Sequence, residues 1–350
     1  AQLVISPDRG YGKSHLVGRL FTRLGRRATK VYLRPFQDPY KAWHSILLLT
    51  IQELIRQEDD RTDAQSQLQS LAVGTLAHIV ADFAQQGVPG YPEIAHAVPF
   101  LRQLANGELP AADSTRWIKW LAGLFADAGP INRLSSLLNT RHIDLQGRER
   151  AWLKVLAAYA LDSPDGETRQ AALKWLRAEP LEPDEVERLG LLRADNDAGE
   201  DAEPQEINTL SFGRLKGLCQ LASYYRPFLF CFDQTEFYAS DTALIRTLGN
   251  CFDQLFVDLP NHLTIVTANQ ENWVTEIVPR IAAPQLQRLS GEIRLEGISQ
   301  KGAHELIVER LKSCAIGEAN IPEFFADAWL QRVFTPIPEL GVRALLVRAG

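Results

Sequence analysis

The residues around Gly12-Lys13-Ser14 have the types and the spacing of a phosphate-binding turn. The apolar stretch Leu3–Ile5 precedes them, and residues 16–21 follow with helical spacing. A strand, a glycine-containing turn and a helix that opens on Gly-Lys-Ser wrap backbone N–H groups around phosphates, while the serine hydroxyl ligates Mg²⁺. The motif therefore predicts binding of a nucleoside triphosphate such as ATP, with Mg²⁺. The candidate phosphate-binding residues are Asp8, Arg9, Gly10, Tyr11, Gly12, Lys13, Ser14 and His15.

One position departs from the full pattern G-x-x-x-x-G-K-[ST], because Pro7 stands where that pattern has glycine. The alternative interpretation is an ordinary strand-to-helix turn. The preceding strand, the second glycine at Gly10 and the helix that follows favour the phosphate-binding loop.

A second group of polar residues follows the continuous apolar run Phe228–Phe232. Such a run is typical of a strand buried on both faces of a parallel sheet, and it would place Asp233 at the strand's carboxyl end. We expect Asp233 to be the second Mg²⁺ ligand beside Ser14, the alternative being a cap for the next helix. Glu236 is the candidate general base, unless it faces water at the start of that helix. Gln234 would position a water without accepting its proton, which predicts slow hydrolysis.

Three further side chains are candidates for contact with the terminal phosphate. Asn269, at the end of the strand 263–267, would bind the γ-phosphate or orient the attacking water. Arg288 precedes the last strand and would reach the nucleotide of a neighbouring subunit, a role for which Arg280 competes. Arg343 begins a helix near the carboxyl end and would contact the γ-phosphate from above. The alternatives are a plain loop asparagine and solvated surface arginines.

These residues need a sheet to position them, and the hydrophobic pattern predicts one. Strands are expected at 2–6, 30–33, 228–232, 263–267 and 293–295, and helices at 13–25, 40–57, 210–225, 241–258, 300–313, 323–333 and 340–350. Alternation of strands and helices predicts a doubly wound α/β fold with a parallel sheet.

The predicted sheet is interrupted by a long helical segment. The predicted organisation is a first core segment at 1–57, a helical insertion at 58–192, an acidic linker at 193–206, a second core segment at 207–298 and a helical lid at 299–350. Four tryptophans of the insertion are expected to pack in its core, namely Trp117, Trp120, Trp152 and Trp175.

Composition limits the classes of function. The chain has 350 residues, 45% of them hydrophobic. Its net charge is −6, so as a whole it lacks the excess positive charge that is typical of nucleic-acid-binding proteins. A local basic patch is interpreted as solvated helix-end charge rather than as a DNA contact; it comprises Arg23, Arg26, Arg27, Lys30 and Arg34. The four cysteines are far apart in the sequence, which predicts reduced thiols in the core rather than a zinc site. No apolar run is long enough to span a bilayer, and a cytoplasmic location is expected.

Taken together, the motifs resemble those of the AAA+ and STAND branch of P-loop ATPases, which includes origin-recognition-like ATPases. The resemblance assigns Gly12-Lys13-Ser14 to Walker A, residues 233–236 to Walker B, Asn269 to sensor 1, Arg288 to the arginine finger and Arg343 to sensor 2. Residues 172–180 and the segment after them resemble the ATP-binding domain of BREX-type phage-defence ATPases, which implies a role in prokaryotic DNA-directed defence.

The function predicted on these grounds is an ATP- and Mg²⁺-dependent ATPase module whose nucleotide state controls homo-oligomeric assembly or engagement of DNA or defence-protein partners. One rival is a nucleotide-binding switch or scaffold without significant turnover, with the helical insertion as its partner surface. A small-molecule kinase is a weaker rival, because neither the insertion nor the Arg343 helix resembles a compact acceptor pocket.

Overall fold

Five parallel strands form the sheet that carries the candidate site residues. The computed structural model describes residues 1–56, 65–85, 92–140, 145–161, 166–195, 202–289, 291–313, 327–336 and 339–349. The strands are β1 (Gln2–Ser6), β2 (Thr29–Leu33), β3 (Phe228–Phe232), β4 (His262–Asn269) and β5 (Gly291–Arg294), in the order β2-β3-β4-β1-β5. Each lies within two residues of its predicted position. The prediction of an α/β fold with a parallel sheet is confirmed.

Helices make up most of the remaining structure. They are α1 (Lys13–Leu24), α2 (Ala42–Ile55), α3 (Gln67–Gln85), α4 (Pro92–Asn106), α5 (Ala111–Ala126), α6 (Ala128–Thr140), α7 (Glu149–Ala160), α8 (Gly166–Leu176), α9 (Pro183–Leu189), α10 (Pro204–Leu221), α11 (Thr242–Asp258), α12 (Gln270–Asn272), α13 (Ala283–Leu286), α14 (Gln300–Ser313), α15 (Asp327–Phe334) and α16 (Val342–Ala349). The helical character predicted for residues 58–192 is confirmed for the described residues of that segment.

Helix α10 begins earlier than predicted, inside the stretch interpreted as an acidic linker. Glu203 and Glu206 form a capping box, and Pro204 occupies the first turn. Acidic side chains and proline suit this position, because the first turn has unpaired N–H groups and a partial positive charge. The linker therefore ends at Glu203 rather than at residue 206, and its residues 196–201 lie outside the described part of the chain.

The carboxyl-terminal segment is not wholly helical, contrary to the prediction for residues 299–350. Two short strands, β6 (Ile298–Ser299) and β7 (Glu339–Leu340), pair antiparallel. Strands of two residues are too short to leave an alternating pattern in the sequence, which explains why they were not predicted. The predicted helix 323–333 is seen as α15 from Asp327, and residues 314–326 are outside the described ranges. Apolar side chains of this segment form a small core, comprising Ala303, Ile307, Leu330, Phe334, Leu340 and Leu345.

By packing, the chain divides into two units. The first unit comprises residues 1–23, 231–249 and 265–350, and the second comprises residues 24–230 and 250–264. All the candidate site residues named above belong to the first unit. The predicted domain boundaries lie at residues 57, 192, 206 and 298, and they divide the chain differently from these two units. Apart from the end of the linker, they stay predictions.

Several aromatic side chains of the second unit pack against one another. Trp152 and Trp175 are buried and meet edge to face, with ring centroids 5.0 Å apart. Trp117 stacks on Phe100 at 4.9 Å and contacts Trp120, and both of these tryptophans are half-buried. The prediction of core packing is therefore confirmed for Trp152 and Trp175, whereas Trp117 and Trp120 are only partly buried.

Three cysteines are buried thiols, namely Cys219, Cys231 and Cys251, and burial raises the pKa of each. Cys314 lies outside the described ranges. In the part of the chain that the structure describes, no helix is both long enough and apolar enough to cross a membrane.

Candidate nucleotide-binding site

The candidate site lies at the carboxyl edge of the sheet, within the first unit. Strands β1 and β4 are parallel neighbours whose register pairs Ser6 with Asn269, so both strands end at the same level. Asp233 directly follows β3, the strand on the other side of β4. The carboxyl ends of parallel strands converge on one edge, where ligands of α/β proteins bind. Candidate side chains that lie more than 200 residues apart in the sequence therefore meet at this edge.

The turn between β1 and α1 depends on two glycines. Gly10 has φ +87° and Gly12 has φ +94°, a region that residues with a side chain rarely adopt. Apart from its two chain neighbours, no described residue comes within 4 Å of where a Cβ on Gly12 would lie, so the space beside it is open to an approaching group. The N–H of Leu16 bonds to the carbonyl of Gly12 at 2.8 Å, which begins the hydrogen-bond pattern of α1. The backbone of this turn therefore leads into a helix N-terminus beside open space.

Lys13 is the best-buried cation of this turn, with 8% of its side chain exposed. Its Nζ donates to Ser6 Oγ at 2.8 Å, to Asn269 Oδ1 at 2.5 Å and to the carbonyl of Asp8 at 3.4 Å. All three acceptors are neutral, and no described carboxylate lies within ion-pair distance of the ammonium. Burial lowers its pKa from the ordinary value, which the charges of Glu236, Asp233 and Asp8 oppose. A desolvated ammonium without a bonded anion is a strong binding partner for one.

Asp233 is held by two hydroxyl groups. Ser14 Oγ donates to its Oδ2 at 2.8 Å, and Thr267 Oγ1 donates to its Oδ1. Asp233 is 2% exposed, whereas Ser14 is exposed. The structure thus brings together the two predicted Mg²⁺ ligands, a hydroxyl and a carboxylate. These are hard oxygen ligands, and Mg²⁺ commonly takes few of them from the protein and keeps several waters.

No group of three or more His, Cys, Asp or Glu side chains among the described residues is arranged to hold a metal ion. A Mg²⁺ bound with a nucleotide does not need such a group, because phosphates and waters supply the other ligands. The donor pair of Ser14 and Asp233 fits that mode of binding.

The turn after Asp233 positions the candidate general base. Gln234 has φ +59° and is exposed, and its N–H donates to Thr267 Oγ1 at 3.3 Å. Thr235 Oγ1 donates to the carbonyl of Thr267 at 2.7 Å, which fixes the turn against β4. Glu236 is half-buried, and its Oε2 is buried with no hydrogen-bond partner in the described part of the chain. A buried carboxylate oxygen without a donor is costly, and such atoms cluster at functional sites.

The carboxyl-terminal helix α16 begins beside the glycine turn. The N–H of Arg343 donates to the carbonyl of Gly10 at 3.1 Å, and a Cβ on Gly10 would approach Arg343 Cβ to 2.8 Å. Gly341 packs against the ring of Tyr11. The Arg343 side chain is exposed. The structure therefore places the start of this helix on the predicted loop, and the contact of the guanidinium with a phosphate stays a prediction.

Replacing Gly10 by alanine tests this contact. We expect a loss of about 2–4 kcal/mol of unfolding free energy, because the close contact with the Arg343 Cβ adds about 1–3 kcal/mol to a backbone cost of about 1 kcal/mol. Chemical denaturation measures it. Gly25, with φ +48° and open space around it, is the matched control, since alanine there meets only the backbone cost of about 1 kcal/mol. Equal losses at the two positions would contradict a close approach of α16 to the turn.

Two other arginines are candidates for contact with the nucleotide. Arg288 precedes β5, whose first residue pairs with Gln2 at the amino end of β1, about 13 Å of strand away from Ser6. Within one chain it is not brought to the site, and its predicted action on a neighbouring subunit stays a prediction. Arg280 is exposed and forms an ion pair with Glu276 at 2.8 Å.

Sequence reasoning missed two residues of this site, Ser6 and Thr267. Ser6 is 1% exposed and bonds to Lys13, and Thr267 is fully buried and holds Asp233. Their signal was present in the sequence, because each is a hydroxyl in an otherwise apolar strand and a buried hydroxyl needs a partner. Thr267 also lies two residues before Asn269, so the two share one face of β4.

Comparisons of the chain with protein-family models, with curated proteins and with solved structures give no match. The function proposed next therefore rests on the arrangement of Lys13, Ser14, Asp233 and Glu236 and on the resemblance of the motifs.

Proposed function

We propose that this chain binds ATP with Mg²⁺ at the carboxyl edge of its sheet and hydrolyses it slowly, as a P-loop ATPase of AAA+ or STAND type. The observation that carries the proposal is the ammonium of Lys13, buried among three neutral oxygens next to the contact between Ser14 and Asp233. A phosphate would supply the anion that this ammonium lacks. The exposed Ser14 hydroxyl marks the side from which a ligand would enter.

Each residue of the site has a proposed role. Lys13 and the amides of the turn hold the outer phosphates, and Ser14 and Asp233 hold Mg²⁺, which when bound neutralises developing charge on the phosphates. Glu236 accepts the proton of the attacking water through its unpartnered Oε2, and Asn269, whose Oδ1 accepts from Lys13, binds the γ-phosphate through its Nδ2 protons. Thr267 orients Asp233 without touching the ligand.

A second candidate function is a nucleotide-binding switch or scaffold without useful turnover. It is favoured by Gln234, an exposed amide directly after Asp233, which cannot accept a proton from water. Both candidates include coupling of the nucleotide state to oligomeric assembly, DNA or a defence-system partner. That coupling rests on the resemblance alone.

Calorimetric titration with ATP, with Mg²⁺ and with EDTA, tests the proposed site. We expect Mg²⁺ to lower the Kd of the wild type at least about tenfold, and the Asp233→Asn variant to lose most of this dependence, because an amide is a weaker ligand than a carboxylate. The matched control is Asp241→Asn, since Asp241 caps α11 through bonds to Ala243 and Leu244, which an asparagine also makes. The absence of ATP binding by the wild type would refute the proposal.

A further inference from the structure

The second unit contains a cavity that the proposed ATPase chemistry does not use. Its volume is about 430 Å³, within the range of small-molecule sites. The wall is built from the segment before β2, the start of α3, the end of α4, the start of α5 and the turn before β3. All its lining residues belong to the second unit.

The charge of the wall has one sign. Arg26 and Arg226 line the cavity, and no carboxylate is among the described residues that line it. Neither arginine forms an ion pair with a described residue. Arg26 is exposed and Arg226 is half-buried, and two guanidinium groups that line a common cavity without a carboxylate among the described residues attract an anion.

Neighbouring groups lie close to both guanidinium groups. The Arg226 guanidinium lies over the ring of Tyr225, 4.3 Å from its centroid. Arg26 lies against Gly107, where a Cβ would come within 3.3 Å of Nη1. A side chain at Gly107, which has φ +72°, would therefore crowd one of the two cations.

The rest of the described wall is uncharged and mixes apolar side chains with hydroxyl and amide groups. Ser114 and Thr115 donate their hydroxyl protons to backbone carbonyls of Leu109 and Ala111, so their oxygens still have lone pairs directed elsewhere. Gln67 bonds through both ends of its amide to the backbone of Lys30, so it is fixed as part of the wall. Such a wall offers hydrogen bonds to the hydroxyls or ring nitrogens of a ligand.

We infer that this cavity is a second binding site, for a phosphorylated small molecule of about nucleotide size. The phosphate lies between Arg26 and Arg226, and the polar wall holds the uncharged part. The cavity is a bounded volume walled by five segments rather than an extended basic groove, and a net charge of −6 opposes long-range attraction of a polyanion. This favours a small ligand over a nucleic acid. The inference does not depend on the proposed ATPase site.

The experiment uses the full chain with Lys13→Ala, so that the glycine turn does not contribute to binding. The probes are AMP, pyrophosphate, adenosine and a single-stranded oligothymidylate, titrated by calorimetry. We expect AMP and pyrophosphate to bind and adenosine to bind at least tenfold more weakly than AMP. Adding Arg26→Gln and Arg226→Gln should raise the Kd for AMP at least about tenfold per arginine. The control is Arg27→Gln, because Arg27 is exposed and does not line the cavity; it should change the Kd for AMP less than twofold.

A blocking variant protects this test from a folding defect. Ala111→Phe fills the cavity from its exposed rim and retains both arginines, and it should abolish AMP binding with an unchanged circular dichroism spectrum. Failure of both AMP and pyrophosphate to bind would overturn the inference, as would equal affinities with and without the two arginines. Oligothymidylate that binds more tightly than AMP and loses affinity on the same arginine substitutions would assign the surface to nucleic acid instead.

Discussion

Replacing Lys13 by alanine is expected to abolish the stabilisation that ATP and Mg²⁺ give to the protein. A ligand present at 100 times its Kd raises the unfolding free energy by about 2.7 kcal/mol, and we expect the wild type to show a melting shift of that order. The variant loses the buried cation of the glycine turn, whose described partners are all neutral. Its Kd for ATP should rise about 100-fold or more, since a bond between two charged groups is worth roughly twice a neutral one.

The melting shift is measured with and without ATP and Mg²⁺, so a change in the stability of the free variant does not affect the result. Arg19→Ala is the matched control, because Arg19 is an exposed cation of the same helix α1. It should keep the full shift. If the Lys13→Ala protein also keeps it, the glycine turn is not the phosphate-binding loop.

The sheet and the gathering of four of the candidate residues could be predicted from the sequence. Apolar strands end in Ser6, Phe232 and Asn269, and the polar residues at or after those ends must lie at one edge once the strands are parallel. Strand ends are strong local signals, because a continuous apolar run changes abruptly to polar residues. The rule places Asp233 at the same edge as the turn that leads to Ser14, and the structure shows the two side chains bonded.

The remaining features depend on contacts that no local pattern encodes. The direct bond between Lys13 and Asn269, like the unpartnered oxygen of Glu236, depends on side-chain rotamers. The placement of Arg288 at the amino end of the sheet depends on the register of β5 with β1. The sequence of a four-residue strand does not determine that register to within one residue. The cavity of the second unit joins segments up to 200 residues apart, such as those of Arg26 and Arg226.

Replacing Glu236 by glutamine is expected to separate the two candidate functions. If Glu236 is the general base, phosphate release under saturating ATP and Mg²⁺ should fall by about 10²–10⁴-fold, because glutamine cannot accept the proton of the attacking water. The Kd for ATP should change less than threefold.

Glu271→Gln is the matched control for this experiment. Glu271 also follows β4 at the carboxyl edge, but its side chain is exposed, so the rate should stay within twofold of the wild type. Rates are measured alone and with DNA, since a partner that completes the site would raise the wild-type rate only if Glu236 is present. Equal rates near zero for the wild type and Glu236→Gln under every condition, with ATP still bound, would favour the switch. A wild-type rate that survives the substitution would instead require a different base, and Gln234 cannot supply one because its amide oxygen accepts hydrogen bonds but is too weakly basic to take the proton from water.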